Sequence, residues 1–167
     1  MIVARIAARV AGFGSEPGFP DFPPLVYRFF GHAMKEDVEE STLDGEAKAA
    51  VVDVLSKKAR LQDLYGAWEA SRRRFRDDGK AFDRLAVGRG PVVEALSNLI
   101  RVARPKIEQG GGVWSLKYDA AFDDIVQWEF PTDPDKGWWV DVWVQGVHDL
   151  TTAIFSHLLE SEPKQDE

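Results

Sequence analysis

Cysteine is absent from this 167-residue chain, which excludes disulfides, thiolate catalysis and cysteine-based zinc sites together. That composition fits a reducing compartment, and the expected location is the cytoplasm. Histidine is scarce, with only His32, His148 and His157 present. His148 and His157 would fall on opposite sides of a helix, so no two-histidine metal pair is expected. No run reaches the ~20 consecutive apolar residues of a membrane span, and no membrane partner is expected. The opening MIVARIAARVAGFG is interrupted by Arg5 and Arg9, unlike the apolar core of a secretory signal. Catalytic and cofactor motifs are missing too. Gly88-Arg89-Gly90-Pro91 lacks the length and the Lys-Ser/Thr of a phosphate-binding loop. Asp133-Pro134-Asp135 begins like a calcium loop, but Trp138 and Val144 stand where glycine and glutamate are required. No metal and no cofactor is therefore expected. Positive charge is in deficit overall: 21 Lys and Arg face 28 Asp and Glu, a net charge of −7. A pI near 5.0 argues against a dedicated nucleic-acid binder.

What is present is a sorting of charge. Between Lys57 and Lys106 lie thirteen Lys/Arg and six Asp/Glu, a net of +7 within a chain of −7. The flanks are correspondingly acidic, above all in the stretch holding Glu36, Asp37, Glu39, Glu40, Asp44 and Glu46. A basic middle can attract an anionic partner, or it can pair with its own acidic neighbours.

Hydrophobic patterning predicts a mixed architecture. Met1–Val10 reads as an amphipathic helix, Gly12–Pro24 as a loop, and Pro24 as the start of a helix carrying Val26, Phe29, Phe30 and Val38. Asp44 is placed to cap a long helix whose stripe is Ala47, Val51, Val54, Lys58, Leu61, Tyr65 and Trp68, broken only by Lys58. Asp77-Asp78-Gly79 breaks that helix. Gly88–Pro91 opens the next, with Pro91 in its first turn and Val92, Leu96, Leu99, Ile100 and Ala103 on its apolar side. Pro105 and Gly110–Gly112 end it. Val113–Tyr118, Asp124–Phe130 and Trp138–Gln145 each alternate with period two, which predicts an antiparallel three-stranded meander. A last helix, capped by Asp149, runs through Ile154, Phe155, Leu158 and Leu159. The expected fold is thus α+β. Its helical N-terminal two-thirds packs on the meander and a C-terminal helix closes it, in a single domain of residues 1–160 with a polar tail of 161–167.

Two sets of residues are candidate contacts. On a strand, Trp139 and Trp143 share one face with Asp141 between them, opposite the core-facing Val140, Val142 and Val144. An exposed tryptophan pair of that kind is a partner-binding platform; the competing account is a second core layer. The other set, Arg72, Arg73, Arg76, Arg89, Arg101 and Arg104, could contact phosphates or other anions; the competing account is pairing within the molecule. The leading expectation is a non-catalytic interaction protein, a small acidic binding module or assembly subunit of the toxin-neutralising, adaptor or phage/defence-complex type. Its partner is expected to be another protein. One alternative is a nucleic-acid-contacting subunit that uses the basic 57–106 region. Another is a metal-assisted hydrolase in which Asp119, Asp123 and Asp124 converge with His148.

Overall fold

The computed structural model describes residues 33–73, 79–130 and 138–162. Readings made for residues 1–32, 74–78, 131–137 and 163–167 lie outside the described residues. Five helices make up the rest: α1 (Ala33–Glu40), α2 (Gly45–Arg73), α3 (Gly79–Gln109), α4 (Leu116–Gln127) and α5 (Trp138–Glu160). Among the described residues there is no strand, so the α+β expectation and its meander are overturned.

The frame is an antiparallel pair of long helices. Asp44 caps α2 as expected: its carboxylate accepts from the Ala47 amide at 3.0 Å and its carbonyl from the Lys48 amide at 2.9 Å. The stripe that follows is buried from Ala47 to Trp68, with Tyr65 half-buried. Residues at three- and four-residue steps share one helical face, and that face meets α3. Lys106, near the end of α3, bridges Asp44 at 2.8 Å and Glu46 at 3.6 Å, at the start of α2. Part of the basic middle is therefore paired with the acidic flank. At the other end of the pair, Gly88 lies so close to α2 that an added Cβ would come within 2.9 Å of Leu64 and 3.1 Å of Leu61.

Helix α3 is longer than the sequence suggested. It starts at Gly79 and continues through both Pro91 and Pro105, so Gly88–Pro91 is helix interior and offers no helix N-terminus. Each proline removes one backbone donor, and both prolines lie on the exposed side, where solvent can satisfy the carbonyl left over. The apolar stripe is as expected, with Val92, Leu96, Leu99 and Ala103 buried and Glu94, Ser97, Arg101 and Arg104 exposed. The helix ends in a Schellman turn. The Gly112 amide donates to the Ile107 carbonyl at 2.9 Å and the Gly111 amide to Glu108 at 3.2 Å, with Gly111 at φ +85°.

The three segments expected to be strands are helical or connect helices. Trp114 and Tyr118 alternate, but they are also four apart. In the structure both are buried around the start of α4, while Leu116 between them is 76% exposed. Helix α5 takes in all of Trp138–Gln145 and continues without a break, so Asp149 is mid-helix and caps nothing. Its stripe of Val140, Trp143, Val144 and Val147 leads into a run, Leu150–Ser156, that is buried all round. A helix enclosed in that way is the centre of a bundle. Accordingly α5 packs against α2, α3 and α4. Its two buried threonines enter the core by bonding their own backbone: Thr151 donates to the Val147 carbonyl and Thr152 to His148, at 2.7 and 2.8 Å.

Candidate functional site

The concentration of tryptophan is explained by a core cluster where the end of α4 meets the start of α5. Trp143 is fully buried; its indole N–H donates to the Ile125 carbonyl at 3.0 Å, and its ring meets Phe130 edge-on at 5.3 Å. Trp139 is half-buried and meets buried Trp128 at 5.8 Å. The exposed platform required a strand. On a helix, Trp139 and Trp143 are one turn apart and point to the same side as Val140, which is inward. Only Asp141, between them, is exposed.

The arginines divide by role. Arg89 is half-buried and donates three hydrogen bonds to the last carbonyls of α4: Trp128 at 2.9 Å, Ile125 at 3.1 Å and Val126 at 2.5 Å. Its guanidinium also lies 5.7 Å from the Trp143 ring centre. Arg89 is thus a bolt joining α3, α4 and α5, placed where a cation meets the negative end of a helix dipole. Arg101 donates to the Asn98 side chain at 2.7 Å, and Arg104 pairs with Glu108 at 3.2 Å. Both remain exposed on the outer face of α3. Arg72 and Arg73 stand in the last turn of α2, and Arg76 lies outside the described residues.

The second alternative, a metal-assisted hydrolase, centred on His148. Among the described residues no three His, Asp or Glu side chains are grouped so as to hold a metal ion. His148 is held by Lys58 instead, with 2.6 Å between Nδ1 and Nζ, joining α5 to α2. Both residues are buried, Lys58 being 8% exposed and His148 6%. Burial lowers the Lys58 amine to about 8, opposed only by the charge of Asp149. Burial, and after it the Lys58 charge, brings His148 down to about 4. Burial raises Asp149, against a hydrogen bond from Gln145 at 2.8 Å and the Lys58 charge. Lys58 and His148 border a cleft of about 760 Å³ between α1, α2 and α5, lined also by Lys35, Ser56, Arg60, Asp63, Asp141 and Gln145. Sequence reasoning noticed Lys58 only as a flaw in an apolar stripe. The flaw was the signal, because a lysine at a core position is either a buried amine or a broken helix.

A second concavity, of about 390 Å³, lies between α2 and α3 on the Gly88 side of the pair. Leu64, Val87, Gly88 and Pro91 give it an apolar floor, and Lys57, Arg60, Arg84 and Asp83 form its rim. Val87 is 76% exposed. Lys57, Arg60 and Arg84 make no ion pair or hydrogen bond with another described residue. All three belong to the basic middle of the sequence, where a charge count does not separate engaged cations from available ones.

No helix among the described residues is long and apolar enough to cross a membrane. Comparison with protein-family models, with curated proteins and with solved structures finds no match.

Proposed function

We propose that this protein is a non-catalytic interaction module of the cytoplasm, which holds an acidic, apolar-bearing segment of another protein in the groove between α2 and α3. The observation that carries this reading is the makeup of the groove. Lys57, Arg60 and Arg84 face a single acid, Asp83, around Leu64, Val87 and Pro91, in a chain whose total charge is −7. Several other cations are engaged: Arg89 by α4, Arg104 by Glu108 and Lys106 by Asp44. Available cations ringing an exposed apolar floor favour a partner that brings carboxylates on its edge and aliphatic side chains at its centre.

The test uses two amphipathic probe peptides of equal hydrophobicity, one carrying Glu and one Lys on the polar face. The acidic peptide should bind and the basic one should not. Arg60→Glu/Arg84→Glu should weaken the acidic peptide roughly tenfold or more, with the thermal midpoint unchanged because both side chains are exposed. Equal binding of the two peptides, or an indifferent double variant, would overturn the reading. A nucleic-acid partner is the other outcome. It would show as binding of a single-stranded oligonucleotide, with a steep salt dependence that Arg101→Glu/Arg104→Glu flattens.

A further inference from the structure

Lys58 is a buried cation with spare donors. An ammonium carries three N–H groups and accepts nothing. Among the described residues its one side-chain partner is the His148 ring nitrogen at 2.6 Å, and the carboxylates of Asp141 and Asp63 line the cleft without bonding it. A buried charge is normally paired. Among the described residues the compensation is a neutral imidazole and the more distant Asp149. On its open side the amine borders a cleft of about 760 Å³, where Lys35 of α1 and Arg60 of α2 add two further cations and Ser56 and Gln145 add neutral donors. That volume suits a small molecule.

We propose that the cleft between α1, α2 and α5 is a binding site for a small oxyanion, a sulfate-, phosphate- or carboxylate-bearing molecule, with Lys58 as its central contact and Lys35 and Arg60 at its mouth. In this arrangement His148, neutral and accepting one Lys58 proton, holds the amine in place. The remaining N–H groups are directed to the ligand, whose charge replaces the water lost on burial. The site is separate from the α2–α3 groove and does not depend on it, although Arg60 borders both.

The linkage to pH follows from the groups around the amine: His148, Asp149 and Asp141 on α5, Lys35 on α1, and Arg60 and Asp63 on α2. With Lys58 at about 8 and His148 at about 4, the amine is the group that changes charge between pH 6.5 and 9. It is almost wholly protonated at the lower value and about one-tenth protonated at the higher.

Inorganic sulfate and acetate are suitable probes, because neither changes charge over that range. Calorimetric titration of the whole protein at pH 6.5 and fixed ionic strength should show saturable binding of one or both, in the roughly millimolar range expected of so small a ligand. Sulfate selectivity would assign a phosphoryl- or sulfuryl-bearing ligand, and acetate selectivity a carboxylate. Binding should fall about tenfold at pH 9, following the protonated fraction. Lys58→Met should abolish it. Arg104→Glu, which alters an exposed cation far from the cleft, should leave it unchanged. The wild-type pH dependence stands even if the Met variant fails to fold. Absence of saturable binding of both anions, or binding that neither pH 9 nor Lys58→Met weakens, would overturn the proposal.

Discussion

A few single side chains hold this bundle together, and Arg89 is the clearest. Its three carbonyl contacts need a planar fork of donors, which an ammonium lacks. Arg89→Ala should lower stability by about 2–3 kcal/mol, measured by urea denaturation, and Arg89→Lys should recover little of it. Trp143→Ala should cost about 3–5 kcal/mol, because a buried indole and its hydrogen bond are lost together. An effect below about 1 kcal/mol would mean that the ring is not in the core. His148 gives the fold a pH signature. It titrates near 6.5 when unfolded and at about 4 when folded, so the unfolded chain takes up the proton first as pH falls. Stability should therefore decline between about pH 6.5 and 4, by on the order of 3 kcal/mol, and level off below. His148→Gln keeps an acceptor for Lys58 and should flatten that decline. A variant with the wild-type slope would show that other groups set it.

At the scale of the element, helix α2 offers a test of propensity alone. Gly66 is exposed in mid-helix, and an added Cβ there meets nothing within 4 Å. Gly66→Ala should raise stability by about 0.5–1 kcal/mol, visible as a higher thermal midpoint. Gly110→Ala should do the reverse and more strongly, because its Cβ would collide with the Ser161 carbonyl. The helices legible in the sequence were those with a long stripe and a clear cap, such as α2 with Asp44 and the Val92–Ala103 face of α3. The failures came from short windows. Trp114 and Tyr118, or Val140 and Val144, satisfy both a period of two and a step of four. The abundance of Val and Trp tilted those windows toward strand, and only the continuation to Leu158, more than four turns on, identifies the helix. Pro91 misled in another way: proline suits a first turn, yet packing around Val92 and Leu96 carries α3 straight through it.

For the molecule as a whole, the charge asymmetry has been partly absorbed into the fold. Lys106 closes onto Asp44 and Glu46, Lys48 donates to the Glu39 carbonyl at 2.9 Å, and Arg89 is consumed by α4. Among the described residues, what remains available is concentrated at Lys57, Arg60 and Arg84 and at the mouth of the Lys58 cleft. Lys58 was legible in the sequence only as an anomaly, since His148 and the α1 and α5 walls of the cleft lie far from it along the chain. The two prolines of α3 bear on how the molecule moves. Pro91 and Pro105 interrupt the backbone ladder twice, dividing the helix into a leading block beside the groove, a central block locked by Val92–Ala103, and a short terminal block under the Schellman turn. Amide hydrogen exchange should show steps at these boundaries, slowest in the centre. The block before Pro91 stays pinned by buried Leu85 and by the Arg89 bonds to α4, so an incoming segment meets a firm wall and adjusts its seat only through the exposed side chains of Arg84 and Val87.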